Sequence, residues 1–416
     1  MEEKMERTEE YNRKPGFGAG LMVGILAALV VVSIICVIII LLPFDGKFTL
    51  GTAAGTTDGL LTRDVVQKVG MIKKTIDEYY LNDYSDEDMA NGIYQGMLDS
   101  LGDPYADYYT QEELQALMED SQGIYYGIGA YIMMDKENNY CVISGVIEGT
   151  PAEEADIHTG DIIYKVDDVM VGGMDSSEVV KLIKGEEGTY VHITFIRDGE
   201  ADYVEKDVER RKINTPTVSY EMLDNKIGYI AVSTFDEVTV GQFSKALKSI
   251  REENARGLIL DLRDNTGGSL AVVCDMCREL LPQGIIVYTV DKNGERDDYT
   301  NTVGKAIDIP MVVLVNDYTA SASEIMTGAL KDYGLAKVIG ITTFGKGIVQ
   351  KVVPLIDGTA VKMTISKYYT PSGVCIHGTG IEPDIEVEFD ADKYVNDGTD
   401  NQLEAAIDEI MRELGE

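Results

Sequence analysis

Residues 18–42 form an apolar run of 25 residues, and no charge falls between positions 17 and 44. At about 1.5 Å per residue, a helix of that length crosses a hydrocarbon core of about 30 Å. The pattern therefore predicts one transmembrane helix over 18–42. A cleaved leader is the competing reading, but its apolar region would span only about 7 to 15 residues. The nearest small residues, Thr52, Ala53 and Ala54, also make a poor cleavage site. Arg13 and Lys14 abut the inner end of the run, with Lys4 and Arg7 behind them. Basic flanks stay on the cytoplasmic side, so residues 1–17 are expected to form a cytoplasmic tail and the rest to lie outside, in a single-pass protein of the cell membrane.

Past a Gly- and Thr-rich tether at 43–60, the periodicity becomes helical. Val65, Val69, Ile72, Ile76 and Tyr79 share one helix face. A second helix opens on the capping box Ser85-x-x-Asp88 and carries Met89, Ile93, Met97 and Leu101 on one face. The turn Leu101-Gly102-Asp103-Pro104-Tyr105 comes next, and Thr110-x-x-Glu113 starts a third helix. Residues 61–121 are thus expected to be a small helical domain, with all of these residues engaged in packing.

Over 122–210 the period shortens to that of strands, at 126–132, 140–147, 161–166 and 190–197, with helical pieces at 152–155 and 176–183. From 211 to 390 strands and helices alternate, as in an α/β layer. Strands are expected at 227–235, 258–262, 285–290, 311–315, 336–339, 348–353 and 359–367, and helices at 239–253, 270–281 and 323–333. Residues 391–416 close with an amphipathic helix at 402–414. The fold class expected is a multidomain α/β protein behind an N-terminal membrane helix.

Composition narrows the function. Lys plus Arg number 36 against 72 Asp plus Glu, a formal charge of −36 that repels phosphate backbones and argues against nucleic acid as a partner. Five cysteines are too few for a disulfide scaffold, and three histidines leave little for a His-rich metal site. Cys274 and Cys277 fall inside one expected helix with no second such pair, which favours packing over metal or redox chemistry. No metal or organic cofactor is expected.

The chain lacks G-x-S-x-G, S-x-x-K, H-E-x-x-H and G-x-x-x-x-G-K-[ST]. His377 is the only histidine in the α/β region, so a Ser-His-Asp triad is barely supported. A better candidate is 316–325, Asn-Asp-Tyr-Thr-Ala-Ser-Ala-Ser-Glu-Ile, a strand end, a turn of small residues and a helix start. A serine there presents its hydroxyl at the mouth of the sheet, and the next N–H serves as an oxyanion donor aided by the helix dipole. A serine needs a base. Lys346, between Gly345 and Gly347 and beside Phe344, becomes one if loss of hydration lowers its pKa.

Two family resemblances sharpen these readings. The stretch Glu148-Gly-Thr-Pro-Ala-Glu-Glu-Ala-Asp-Ile-His-Thr-Gly-Asp-Ile-Ile-Tyr-Lys-Val-Asp167 resembles a PDZ domain. That implies that Tyr126, Gly127, Ile128 and Gly129 form the loop that receives a peptide's terminal carboxylate, and that the next strand adds the peptide to its sheet. The order of anchor, helical unit, PDZ-like module, Asp-Leu-Arg-Asp-Asn-Thr-Gly-Gly (261–268), Ser-Ala-Ser-Glu-Ile (321–325) and Thr-Phe-Gly-Lys-Gly-Ile-Val-Gln (343–350) resembles the carboxy-terminal processing, or tail-specific, proteases. The resemblance implies a crotonase-like protease core, Ser321 as nucleophile, Lys346 as base and Gln350 as the group that orients the lysine. It also implies an oxyanion hole from the N–H of Ala322 with that of Gly267 or, as the alternative, Gly268. Protein or peptide C-termini would be the substrates, and the oligomeric state is left open.

Tyr318 and Thr319 stand where the family usually has Gly and Ser, and Thr266 where it has Pro, which implies altered loop rigidity with activity retained. In a straight strand at about 3.3 Å per residue the Cα atoms of Lys346 and Gln350 would be about 13 Å apart, so the backbone must curl or the side chains must lean together. The competing functions are an inactive tethered peptide-binding adaptor and an enzyme acting on acyl thioesters.

Overall fold

The structure, a computed structural model, describes residues 59–416 apart from Lys305. The expected membrane helix at 18–42, the tail before it and most of the tether lie outside the described residues. Among the described residues no helix is long and apolar enough to cross a membrane.

Contacts divide the chain into two units at Asp83. The described part of the first contains one helix, α1 (Arg63–Tyr79), whose N-terminus is capped by Thr62. The expected helical domain at 61–121 is therefore split, because α2 (Asp86–Asp99) and the residues after it belong to the second unit. The reason lies in β1 (Asp107–Tyr109), a strand too short to show a period, which pairs antiparallel with residues 360–362. The chain then enters α3 (Gln111–Gln122) through the capping box of Thr110 and Glu113.

Next comes an antiparallel ribbon of β2 (Ile124–Gly127) and β9 (Arg211–Asn214), which brackets a β module. Its sheet runs in the order β3 (Ala130–Asp135), β4 (Tyr140–Val146), β5 (Ile162–Val166), β7 (Tyr190–Ile196) and β8 (Val204–Glu209), with β6 (Val169–Met170) also on β5. Two helices, α4 (Pro151–Glu154) and α5 (Ser176–Ile183), complete it. Ile143, Ile163, Val191, Ile193 and Phe195 fill its core at alternate strand positions. The single strand expected at 126–132 breaks between β2 and β3, where the Gly129 carbonyl accepts the N–H of Ile147 at 3.0 Å.

The α/β alternation predicted beyond 211 is present. One sheet has the order β10 (Val218–Leu223), β11 (Ile227–Val232), β12 (Gly257–Asp261), β15 (Met311–Val315), β16 (Lys337–Gly340) and β19 (Ile385–Glu386). All of its pairs are parallel except β10 with β11. Every residue of β12 and β15 is buried, as expected of parallel strands covered on both faces. Helices α6 (Glu237–Glu252), α7 (Leu270–Leu280) and α8 (Ala322–Asp332) share one apolar cluster with Leu258, Leu260, Val313 and Val315.

After the short α9 (Ala391–Asp397), α10 (Asn401–Leu414) buries Ala406 and Ile410 against Ile227, Ile259, Val312, Leu314 and Ile339. The terminal helix is thus a layer of this core. A second, antiparallel sheet joins β1, β13 (Gly284–Asp291), β14 (Arg296–Asn301), β17 (Ile348–Pro354) and β18 (Ala360–Tyr369). The polar strand β14 carries no alternation in its sequence, so periodicity does not predict it.

Candidate active site

The strand β15 ends in a turn that the chain ties down thoroughly. Asn316 N–H donates to Thr319 Oγ1 at 2.9 Å, and Thr319 Oγ1 donates to the Leu262 carbonyl at 2.8 Å. Thr319, one of the departures from the family pattern, therefore keeps a working hydroxyl. Ala320 N–H and Ser323 Oγ both donate to the carbonyl of Asn265, at 3.0 and 2.8 Å. Between them Ser321 heads α8 with φ 55° and ψ −115°. A non-glycine residue in that region carries strain of roughly 1–3 kcal/mol and persists only where its surroundings hold it. Here the Ser321 N–H donates to Glu324 Oε2 at 2.9 Å, and its carbonyl accepts the Tyr368 hydroxyl at 3.0 Å.

Glu324 is fully buried and reaches further. It accepts the Thr343 hydroxyl at 2.6 Å, the Gly345 N–H at 2.7 Å and the Lys346 N–H at 2.9 Å. One carboxylate thus fastens the turn of Ser321 to the loop of Lys346. The glycines beside the lysine allow this loop to lie against residues 377–380. A Cβ at Gly347 would stand 2.5 Å from His377 N, and one at Gly345 would stand 2.8 Å from Gly380 N.

Lys346 is half-buried, and its amine lies over the ring of Tyr105, 4.3 Å from the centroid. Burial pushes its pKa below the usual value, the Lys362 ammonium pushes the same way, and Asp103 opposes both. Among the described residues no hydrogen bond joins Ser321 Oγ to Lys346 Nζ. Gln350 Nε2 donates to Thr364 Oγ1 at 3.4 Å rather than to the lysine. Lys346 precedes β17, and a bulge falls between Val349 and Gln350, so the straight-strand separation does not apply.

Gln350 instead lines a cavity of about 280 Å³ together with Ser321, Ala322, Ile325, Leu270 and Gly268. Gly268 belongs to this lining, whereas the Gly267 N–H is engaged by Asn265 Oδ1 at 2.9 Å. Gly267 serves packing here, since a Cβ on it would stand 2.8 Å from Ser321 Cβ. A larger cavity, about 710 Å³, is lined by Asp261, Arg263, Phe389 and Asp400 and contains neither Ser321 nor Lys346. The charge of Arg263 there is met by Asp261 and Asp400.

Other candidates fall away from this centre. His377 is exposed and makes no hydrogen bond to Ser321 among the described residues. Burial pushes the Cys274 thiol up to about 12 and the Cys277 thiol well above its usual value, so both are packing groups. Tyr126 and Gly127, expected in an open carboxylate loop, pair with Lys212 and Arg211 of β9. Only Ile128 and Gly129 form the turn into β3, the end strand of its sheet.

Glu324, Tyr105 and Asp103 do not stand out in the sequence as site residues. Glu324 is visible there as the acidic residue of a capping box, while the other two look like turn chemistry of a helical domain.

Comparison with known proteins agrees with this architecture. Residues 226–387 match peptidase family S41, residues 142–197 a PDZ domain, and residues 51–113 the N-terminal domain of the activating protease CtpB. The carboxy-terminal processing protease CtpA of Bacillus subtilis is 35% identical over 358 residues, covering 84% of this chain and 76% of that one. A CtpA-like serine protease of Staphylococcus saprophyticus is 35% identical over 337 residues, covering 80% and 68%. Among solved structures, an S41 protease from Bacteroides fragilis aligns with a TM-score of 0.51 at 19% identity, over 77% of this chain and 90% of that one. The photosystem II D1 C-terminal processing protease aligns with a TM-score of 0.45 at 30% identity, over 77% and 86%. The chain therefore belongs to peptidase family S41, among the carboxy-terminal processing serine proteases.

Proposed function

We propose that this protein is a membrane-anchored serine endopeptidase that cleaves extracytoplasmic proteins near their C-termini with Ser321 and Lys346. The observation that carries the reading is Ser321 itself, held in a strained turn at the head of α8, on the wall of a cavity and tied through Glu324 to the loop of a partly desolvated lysine.

Ser321 Oγ attacks the scissile carbonyl while neutral Lys346 takes its proton. The tetrahedral oxyanion meets the N–H of Ala322, at the positive end of α8, and that of Gly268, which replaces Gly267 because the latter's N–H is already engaged. Lys346 then protonates the leaving amine, and the same amine activates water to release the acyl-enzyme. Lining by Leu270, Ala322, Ile325, Ile348 and Val349 suits a small or medium apolar residue at the cleaved bond. For its dyad role the lysine must leave Tyr105 and reach Oγ. Gln350, on the cavity wall, receives the amine or a substrate amide once that happens. The PDZ domain supplies tail selection, with Ile128 and Gly129 at the carboxylate end and the edge strand β3 as the template for an added strand. The run at 18–42 anchors the enzyme with its catalytic part outside.

Mass spectrometry of products from an unfolded protein with varied tails, incubated with the full chain in detergent micelles, tests this. Ser321→Ala and Lys346→Ala are each expected to abolish cleavage with the fold intact. Tail binding without cleavage by the wild-type chain would leave the adaptor reading.

A further inference from the structure

The loop between α2 and β1 reaches the active-site lysine from about 240 positions upstream, and it is built to stay there. Asp103 Oδ1 accepts the Tyr105 N–H at 3.0 Å, which shapes the turn, and Asp103 Oδ2 accepts the N–H of Thr364 on β18 at 3.1 Å. Thr364 in turn receives Gln350 Nε2 on the wall of the cavity that holds Ser321. On one side of this turn, Tyr108 N–H donates to Gln95 Oε1 at 2.9 Å, and the rings of Tyr94 and Tyr108 lie 5.1 Å apart. On the other, β1 pairs along 360–362. The Tyr105 ring is therefore delivered to Lys346 by fixed elements.

An ammonium over an aromatic face is favoured by the ring's quadrupole, whereas a neutral amine gains little from it. We propose that Tyr105 is a positioning residue for catalysis, a ring on which the Lys346 ammonium rests off the Ser321 hydroxyl and which sets the pH at which that lysine becomes an available base. This rests on the Ser321 and Lys346 reading of the preceding section. Every charged group facing the amine fits the scheme. Asp103 and the Tyr105 ring, from the upstream loop, favour the protonated form. Lys362 on β18, itself held by Asp107 and Tyr109 of β1, disfavours it. Glu324 of α8 faces the lysine only through its backbone N–H.

Removing the ring face removes stabilisation of the ammonium, so the lysine loses its proton at lower pH and the acidic limb of kcat/KM moves down. The test compares the full chain in detergent micelles with Tyr105→Phe and Tyr105→Leu, using β-casein as the probe substrate. In parallel, competitive acetylation of Lys346 by acetic anhydride, read by peptide mass spectrometry in a Ser321→Ala background, titrates the amine without any need for activity.

Tyr105→Phe keeps the wild-type limb and labelling profile, whereas Tyr105→Leu shifts both down by about one unit, leaving about tenfold more neutral amine below the limb. A ring-fluorinated phenylalanine at position 105 fills the same space without the negative face, and it shifts the profile as Leu does even if the Leu variant fails to fold. An unmoved limb with kcat/KM lowered equally at every pH would mean that the ring only packs, and an upward shift would also overturn the proposal. If Lys346→Ala cleaves casein normally, the dyad reading fails instead, and the labelling profile still reports whether the ring sets the lysine's titration.

Discussion

The backbone N–H of Lys346 donates to Glu324 Oε2 at 2.9 Å, and the same oxygen receives the N–H of Ser321 at 2.9 Å. Two loops on opposite sides of β16 are thereby fixed against one buried carboxylate, which has Thr343 and Gly345 on its other oxygen. Hydrogen bonds to a charged acceptor are individually strong, and no water competes for them at a fully buried side chain.

Glu324→Gln is expected to turn amide hydrogens toward donors that need an acceptor. Stability should fall by about 1.5–3 kcal/mol, read as a lower urea midpoint. The kcat should fall about a hundredfold through misplacement of Ser321 and Lys346, with KM little changed. A variant with wild-type kcat would show that the carboxylate does not set the site's geometry.

The two glycines at 267 and 268 are expected to fail differently. A Cβ at Gly268 would stand 2.6 Å from the Phe235 carbonyl oxygen, and one at Gly267 would stand 2.8 Å from Ser321 Cβ. Both Ala variants should lose about 1–3 kcal/mol of stability, because φ is +112° at Gly267 and +142° at Gly268. Gly268→Ala should also lose about 10²–10³ in kcat by displacing an oxyanion donor. Cleavage within twofold of wild type in that variant would remove Gly268 from the oxyanion role.

Charge changes around Lys346 should move the pH profile in opposite directions. Lys362 holds the lysine's pKa down, so Lys362→Gln should carry the acidic limb of kcat/KM to higher pH. Asp103 holds it up, so Asp103→Asn should carry the limb to lower pH. Shifts of about half a unit are expected, given partial solvent screening. Two shifts of the same sign would show that the limb belongs to another group.

Tail recognition should depend on the terminal charge. A fluorescent peptide ending in apolar residues and a free carboxylate is expected to bind the full chain at least about tenfold more tightly than its C-terminal amide, since the amide forfeits charge-assisted hydrogen bonds to backbone N–H groups. Equal affinities, by fluorescence anisotropy, would place recognition elsewhere than at the Ile128–Gly129 turn.

Much of this architecture is written locally in the chain. The all-apolar runs that become β12 and β15, the capping box at Thr110 and the helix at 176–183 depend on neighbours within a turn or two, so periodicity finds them. A turn of small residues at 316–325 and a lysine between two glycines are also visible locally, but the roles of Ser321, Lys346 and the glycines at 267 and 268 come from the resemblance to the carboxy-terminal processing proteases. Pairing is less visible. β1 has three residues and β14 is polar, and both exist as strands because β18 and β13 offer them partners. Likewise, the amphipathic period at 402–414 predicts a helix with one apolar face, but which surface that face covers is set by the second apolar face of the α/β sheet.

The chemistry divides along the same line. Residue type and order along the chain are enough to nominate Ser321 and Lys346 and to place a peptide-reading module ahead of them. Which carboxylate joins the two loops and which ring meets the amine are decided by tertiary structure. Glu324 gathers Thr343, Gly345 and Lys346, and Tyr105 covers Lys346, because the fold brings distant segments within hydrogen-bond and contact range, where geometry alone decides which groups are satisfied.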